Sequence, residues 1–291
     1  MLKLIRLVCA LFITSGLVTA AADESLLRDA IGADYDYLAG LFEHFHRHPE
    51  LSYREEETAR RLARELRDAG VEVTEGVGGT GLVGIIENGA GPVVMLRADM
   101  DGLPIEEKSG LSYGSTAWQT DVNGKEFPVM HACGHDVHMT VLVGAARRLQ
   151  AMRDDWRGTV VLVGQPAEER IGGAARMLED GLYQRFPRPD YALAMHVSSS
   201  LETGKFRLDP GIAFSSSDSI DLIVHGVGSH GASPHLGKDP VVIASQIVLA
   251  LQTLVAREIS PMEPGVVTVG AFHAGTKHNI ISDRADLQLT V

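Results

Sequence analysis

Three short apolar runs, each followed directly by side chains that can bind a metal, constrain the fold of this chain more than any other feature. The runs are PVVMLR (92–97), TVVLVG (159–164) and YALAM (191–195). Strands buried on both faces of a sheet have this nearly continuous apolar character. The sequence therefore predicts an α/β domain whose mostly parallel sheet is covered by helices.

Helix-like segments, with apolar residues at the spacing of an amphipathic helix, lie between and before these runs. We expect helices from Tyr35 to about His48, from about Glu55 to Ala69, from Thr140 to Met152 and from about Gly173 to Glu179. The first of these carries His44, His46 and His48, which we interpret as its solvated face.

A second domain is indicated by the change in composition near Ser215 to Ser217. Beyond it the order is strand (SIDLIVHG), glycine-rich loop, helix (Pro240 to Arg257) and two strands (GVVTVGAF and ADLQLTV). This β-α-β-β order opens a ferredoxin-like α+β domain, which needs a further helix and strand to close. We expect domains over 23–214 and 215–291, the second incomplete at its C-terminus.

Residues 1–22 have the pattern of a secretory signal peptide. Lys3 and Arg6 precede the apolar run LVCALFITSGLV, and Ala20-Ala21-Ala22 is a small-residue cleavage site. An uncleaved membrane anchor is the alternative. We expect a secreted or periplasmic protein that is free of the membrane after cleavage. The chain has 26 basic and 38 acidic residues, which makes nucleic acid and anionic membranes poor partners.

Cys133 is the only cysteine outside this leader segment, because Cys9 lies within it. Exported proteins normally use cysteines in pairs, so a single one is a buried filler, a reactive thiol or a metal ligand. Cys133 lies in HACGHDVH (131–138), where His135 is a second candidate ligand. We expect this motif to form a loop before a helix.

The three apolar runs bring further candidates to the same edge of the sheet, because the carboxyl ends of parallel strands lie together. These candidates are Asp99 and Asp101 after the first run, Glu168 and Glu169 after the second, and His196 after the third. A mixture of thiolate, imidazole and carboxylate suits Zn²⁺ and tolerates Mn²⁺, Co²⁺ or Ni²⁺, whereas Ca²⁺ and Mg²⁺ prefer oxygen alone. There are more candidates than one tetrahedral ion needs, which favours two metal ions.

The adjacent glutamates have a natural division of roles. Glu169 can bind the metal while Glu168 moves the proton between the attacking water and the leaving amine, although the reverse assignment stays open. Asp99 and Asp101 also fit a turn before Gly102. His138, one helical turn after His135, is interpreted as a supporting residue rather than a ligand.

Six segments of the chain together resemble the successive motifs of the M20 metallopeptidase family. They are RADMDGLP, HACGHDVH, QPAEE, AMHV, GSHGASPHLGKDP and KHNII. The nearest branch is that of the amidohydrolases, which includes N-acyl-amino-acid amidohydrolases, hippurate hydrolases and indoleacetyl-amino-acid hydrolases. The resemblance implies a catalytic domain with two metal ions and an inserted lid domain that commonly mediates dimerisation.

The resemblance also implies roles for individual residues. The family metal ligands correspond to Cys133, His135, Glu169 and His196. Glu168 corresponds to the general base, and Asp101 to the acid that orients a ligand histidine. His230 matches the lid histidine that stabilises the oxyanion, often from the partner subunit, and Asn279 lies in the lid segment that contacts substrate.

The sequence departs from the family pattern in three places. Arg170-Ile171 follow the paired glutamates where glycines are usual, and Ser282 replaces a common proline. Family members also continue beyond the position of Val291 and supply a last ligand histidine, so we expect a C-terminally truncated form.

These observations predict a secreted amidohydrolase that uses metal-activated water on N-acyl amino acids or short peptide-like substrates, as a homodimer through the lid. One alternative is a truncated metal-binding remnant with impaired catalysis. Another is a hydrolase whose nucleophile is Cys133, activated by His131 or His135, which leaves Glu168 and Glu169 without a role.

Overall fold

The computed structural model describes residues 24–208, 210–211 and 216–291. The predicted signal segment, residues 1–22, lies outside this range. The chain divides into two compact units, with the boundary between Leu201 and Glu202. The predicted boundary between 214 and 215 falls at residues outside the described ranges and stays a prediction.

The first unit alternates helices and strands. Residues 24–33 are helical. The further helices are α1 (Tyr35–Arg47), α2 (Glu56–Asp68), α3 (His135–Ala151), α4 (Gly173–Glu179) and α5 (Leu182–Arg185). Its strands are β1 (Glu72–Val77), β2 (Gly81–Asn88), β3 (Val93–Asp99), β4 (Trp118–Thr120), β5 (Glu126–Pro128), β6 (Gly158–Gln165) and β7 (Tyr191–Ala194). Strands β4 and β5 form a separate antiparallel hairpin.

The main sheet has the strand order β1-β2-β6-β3-β7 and is mixed rather than mostly parallel. Strand β3 is parallel to β6 and β7, but β2 is antiparallel to both β1 and β6. Only residues 89–92 join β2 to β3, and a parallel crossover needs a dozen or more residues. The prediction of a mostly parallel sheet is therefore wrong for the two pairings of β2, which alone runs against the other four strands, and correct for the three strands that carry the candidate ligands.

Helices cover both faces of this sheet. On one face, Leu162 of β6 packs with Phe45 of α1 and Leu66 of α2 in a buried cluster. On the other face, its neighbour Val163 packs with Met177 of α4. Successive side chains of a strand point to opposite faces, so a continuous apolar run supplies both clusters. The predicted α/β class is confirmed.

Helix α3 begins at His135, five residues earlier than the sequence predicts. Gly134 precedes it in a left-handed conformation with φ 85°, which glycine adopts without steric cost. Asp136 in the first turn favours a start here, because acidic side chains stabilise helix N-termini. His135 is therefore a helical residue and not a loop residue.

The second unit contains five strands and one long helix within 216–291. They are β8 (Ser219–His225), β9 (Ser229–His230), α6 (Pro240–Thr253), β10 (Thr268–Ala274), β11 (Ile280–Ile281) and β12 (Arg284–Thr290). Strands β8, β12 and β10 form an antiparallel sheet in that order, so β8 and β10 run the same way with β12 between them. This is a split β-α-β arrangement. The closed ferredoxin-like domain and the lid role stay predictions.

Helix α6 packs one apolar face against this sheet, where Ala244 is buried in a cluster with Leu287 of β12. Its other face is also apolar, with Val242 53% and Leu249 70% exposed. Among the described residues, the segment Pro240–Glu258 is the single helix that is long and apolar enough to cross a membrane, by length and composition alone. Its buried residues are Pro240 and Ala244, and Ile247, Val248 and Leu251 pack against the same cluster while partly exposed.

Candidate metal centre

The candidate ligands of the first unit come from adjacent strand ends and one helix start. Asp99 is the last residue of β3, Glu168 and Glu169 form a 3₁₀ turn shortly after β6, and His196 follows β7. Because β6, β3 and β7 are parallel neighbours, these residues lie at one edge of the sheet. The first turn of α3 adds His135 to them.

Several of these side chains form tight groups of possible ligand atoms. Cys133, His135 and His196 each place one such atom within 4.8 Å of the others, and so do His135, Glu168 and Glu169. The Cys133 Sγ lies 3.3 Å from His196 Nε2. His135 belongs to both groups, which together contain five of the predicted site residues, and a third such group joins it to Asp99 and His138.

The residues fit a divalent metal ion, because two buried side-chain atoms lie near each other without a hydrogen-bond partner among the described residues. His135 Nδ1 is 2.7 Å from the main-chain oxygen of Asp101, which can only accept, so Nδ1 carries the proton and Nε2 has a free lone pair. His135 Nε2 and Glu169 Oε1 are both buried and have no hydrogen-bond partner among the described residues. They are 3.8 Å apart. A cation bound by both would satisfy two otherwise unpaired buried groups.

The electrostatics of the centre also favour a cation. Burial and the neighbouring Glu169 raise the pKa of the Cys133 thiol to about 12. Burial raises the pKa of Glu169, and the nearby His135 opposes this shift only in part. A bound metal ion lowers both pKa values, because it stabilises the thiolate and the carboxylate directly.

Asp101 links the paired glutamates to His135. Its carboxylate accepts hydrogen bonds from the main-chain N–H groups of Glu168 and Glu169, at 3.0 and 3.1 Å, and from the Ser52 hydroxyl at 2.6 Å. Its main-chain oxygen accepts the His135 Nδ1–H, while its carboxylate Oδ1 is 3.5 Å from that nitrogen. Both the carbonyl and the carboxylate of Asp101 therefore face His135 Nδ1, and the carboxylate also holds the turn. The predicted role of Asp101 in orienting the histidine stays a prediction. No motif in the sequence points to Ser52.

His138 supports the centre rather than facing it as a free ligand. Its Nδ1 donates to Asp99 Oδ1 at 2.6 Å, and its Nε2 accepts the main-chain N–H of Val197 at 3.0 Å. Both ring nitrogens are occupied, and the histidine anchors the segment that contains His196. Burial alone would raise the pKa of Asp99, but the His138 hydrogen bond and nearby positive charges hold it well below its usual range.

His46 is buried, which corrects the prediction that it belongs to a solvated helix face. Its Nδ1 lies 2.6 Å from Asp136 Oδ2 and its Nε2 lies 3.1 Å from Glu107 Oε1. Burial opposes protonation of His46, but these two carboxylates raise its pKa. Its partners come from distant segments, so the helical pattern of α1 alone could not reveal them.

The other two predicted site residues lie together in the second unit. His230 ends β9 and pairs with Ile280 of β11, and Asn279 immediately precedes β11. The main-chain oxygen of Asn279 accepts the N–H of Gly231 at 2.9 Å. His230 Nδ1 accepts the N–H of Ala232 at 3.1 Å, which leaves its Nε2 available.

Comparison with known proteins gives consistent matches. The sequence profile of peptidase family M20/M25/M40 matches residues 95–286. "Thermostable carboxypeptidase 2" of Saccharolobus solfataricus is 42% identical over 260 residues, which are 88% of this chain and 63% of that protein. "Hippurate hydrolase" of Campylobacter jejuni is 41% identical over 259 residues, which are 87% of this chain and 64% of that protein. The chain thus spans less than two thirds of the length of these relatives.

Solved structures match over most of the chain. A putative aminohydrolase from methicillin-resistant Staphylococcus aureus has a TM-score of 0.73 and 38% identity, covering 90% of this chain and 67% of its own. A Bacillus subtilis structure described as a dinuclear metal binding peptidase from the M20 family has a TM-score of 0.65 and 30% identity, covering 89% of this chain and 64% of its own.

Proposed function

This chain belongs to peptidase family M20/M25/M40, and from that premise we propose that it hydrolyses the amide bond of N-acyl amino acids or short peptide-like substrates with two divalent metal ions. The observation that carries the proposal is the pair of unpartnered buried acceptors, His135 Nε2 and Glu169 Oε1. Two groups of this kind are stable together when a cation binds both.

Four side chains would hold the metal ions: Cys133, His135, Glu169 and His196. We propose Zn²⁺ or Mn²⁺, with Co²⁺ or Ni²⁺ as substitutes, because the donors mix sulfur, nitrogen and oxygen. When bound, such ions polarise an amide carbonyl and lower the pKa of water. The Bacillus subtilis relative described as dinuclear supports the count of two.

Exposure and partners support a division of roles between the two glutamates. The Glu168 side chain is 40% exposed, whereas that of Glu169 is 20% exposed and has the unpartnered oxygen. We assign Glu169 as the ligand and Glu168 as the general base. Glu168 takes a proton from the attacking water and returns it to the leaving amine. Asp101 fixes the position of Glu168 by accepting its main-chain N–H, which leaves the Glu168 carboxylate free for this role.

The remaining roles rest on the family resemblance and on the surface of the second unit. His230 stabilises the negative charge on the substrate oxygen through its available Nε2, and Asn279 contacts the substrate. The exposed apolar face of α6 supports homodimerisation through this unit. The N-terminal sequence pattern supports a secreted or periplasmic location.

A cysteine-nucleophile mechanism is disfavoured by the environment of Cys133. Reactive cysteines have a lowered pKa next to positive charge, so that the thiolate is populated. Here burial and Glu169 raise the pKa to about 12. The thiol is suited to a metal ion and not to attack on a carbonyl in the metal-free protein.

The test combines activity with metal analysis on one sample. N-acetyl, N-benzoyl and indoleacetyl amino acids are screened before and after treatment with a chelator, and metal content is measured in parallel. We expect the chelator to abolish hydrolysis and Zn²⁺ or Mn²⁺ to restore it. Glu168→Gln should lower kcat by about 10²–10⁴-fold with metal content unchanged. Hydrolysis that survives complete metal removal would refute the proposal.

A further inference from the structure

The turn that carries the paired glutamates is strained at both ends. Ala167 precedes it with φ 46° and ψ 47°, and Ile171 follows it with φ 52° and ψ 28°. Both residues are in the left-handed region, which is unfavourable for side chains with a Cβ and most of all for a β-branched one. Such strain persists only where the surrounding structure holds it in place.

Two buried carboxylates hold this turn through consecutive main-chain N–H groups. Asp101 accepts the N–H groups of Glu168 and Glu169. Glu55 accepts the N–H of Ala167 through Oε1 at 2.7 Å, and its Oε2 accepts the Thr80 hydroxyl at 2.6 Å. Asp101 already belongs to the metal centre, whereas Glu55 is the residue that immediately precedes α2.

Glu55 is fully buried, with 0% of its surface exposed. A carboxylate this deep is costly to keep unless it is well paired, and its partners are a hydroxyl and the first N–H of the turn. The hydrogen bond to Ala167 falls on the strained residue itself. Without this hydrogen bond, the buried N–H of Ala167 would be unpaired, and the left-handed conformation of Ala167 would lose an interaction that stabilises it.

We propose that Glu55 is a positioning residue for Glu168 and Glu169. By accepting the Ala167 N–H it fixes the point at which the chain turns, and it thereby sets the direction in which both glutamates enter the centre. The inference rests on the proposed function, because it assumes that Glu169 binds a metal ion.

The chemistry of the two partners predicts which substitutions are tolerated. Ala167 can only donate through its N–H, whereas the Thr80 hydroxyl can rotate to donate or accept. In Glu55→Gln the amide oxygen can therefore face Ala167 while the NH₂ group faces Thr80, so the turn is kept. Glu55→Leu has similar bulk but leaves the Ala167 N–H unpaired. Glu55→Asp keeps the charge and shortens the reach.

The experiment is a Co²⁺ titration of the chelator-treated protein, followed by the thiolate-to-cobalt charge-transfer band of Cys133 and by the d–d bands. We expect Glu55→Leu and Glu55→Asp to weaken Co²⁺ binding by about 10–100-fold and to change the d–d bands as Glu169 leaves its place. Glu55→Gln should stay close to the wild-type affinity and spectrum.

The matched control is Glu50→Leu. Glu50 also accepts a main-chain N–H in the same unit, that of Thr58 at 2.7 Å, and among the described residues its side chain has no hydrogen bond to the turn. The Glu50→Leu substitution should lower the free energy of unfolding and leave the Co²⁺ affinity unchanged.

A Glu55→Leu protein that folds and binds Co²⁺ like the wild type overturns the inference. If Glu55→Leu does not fold, Glu55→Asp decides, and wild-type affinity and spectrum in that variant overturn the inference equally. A wild-type protein without a Cys133-to-cobalt band instead contradicts the proposed function, so the two failures are distinguishable.

Discussion

Substituting Gly134 by alanine should damage both the stability of the first unit and its metal centre. Gly134 lies between Cys133 and His135 and has φ 85°. A Cβ at this position would lie 2.3 Å from Val197 Cγ2, far inside van der Waals contact. Val197 in turn donates its N–H to His138 and is the neighbour of His196.

The expected cost has two separable parts. A left-handed alanine costs about 1 kcal/mol, after allowing for the lower entropy of its unfolded chain. The steric clash adds about 1–3 kcal/mol, the usual cost of forcing an extra methyl group into packed structure. Gly134→Ala should therefore lower the free energy of unfolding by about 2–4 kcal/mol. Gly124 is a matched control, because its φ is 82° and no atom lies within 4 Å of a Cβ built on it, so Gly124→Ala should cost only the first part.

The assay is urea unfolding of the metal-free protein, followed by tryptophan fluorescence. Both tryptophans, Trp118 and Trp156, are in the first unit and report on it alone. Adding Val197→Ala to Gly134→Ala removes the clashing methyl and should recover about 1–3 kcal/mol relative to additivity. The reasoning is refuted if Gly134→Ala costs no more than Gly124→Ala, or if Val197→Ala recovers nothing.

Two further predictions concern buried polar contacts of the first unit. His138→Leu leaves Asp99 Oδ1 and the Val197 N–H without their partner. The Co²⁺ affinity measured by titration should therefore fall by about 10–100-fold. An unchanged affinity would contradict the supporting role of His138. Asp34→Asn removes the charge that pairs with Arg147 at 2.9 Å and with Arg148 at 2.6 Å, and should cost about 1–2 kcal/mol at pH 7 in urea unfolding. The hydrogen bond from Arg147 lowers the pKa of Asp34 below its ordinary value, so this contribution is fully present above about pH 4 and is lost as the pH falls through the folded pKa. The difference between Asp34→Asn and the wild type should therefore be smaller at pH 3 than at pH 7, and a constant difference would argue against the ion pair.

The sequence predicted the parts of the centre that depend on where a strand ends. Asp99, Glu169 and His196 follow apolar runs, and a run of this kind identifies both the strand and the edge at which its neighbours finish. The direction of β2 was not accessible in this way, because an apolar strand carries no mark of its own orientation. It depends on the four residues 89–92, which are too few for a parallel crossover.

The supporting residues were missed for a different reason. Ser52, Glu55 and His46 each bind a partner at least 49 positions away in the chain. Local patterns contain no trace of such a pairing, and acidic or imidazole side chains near helix ends are ordinary surface residues in most proteins. The left-handed conformation of Ile171 had one trace in the sequence, because Arg170-Ile171 stand where glycines are usual and glycine adopts this conformation without steric cost.

The two hydrogen-bonding ends of Asp101 have a consequence for the precision of the centre. The same residue holds His135 by its carbonyl oxygen and the Glu168–Glu169 main chain by its carboxylate. When thermal motion displaces Asp101, both halves of the centre are carried in the same direction. Because the two ligand atoms are displaced together, the distance between His135 Nε2 and Glu169 Oε1 should fluctuate less than the position of either atom. We therefore expect Asp101 to keep the spacing of these two ligand atoms more constant than the position of either one.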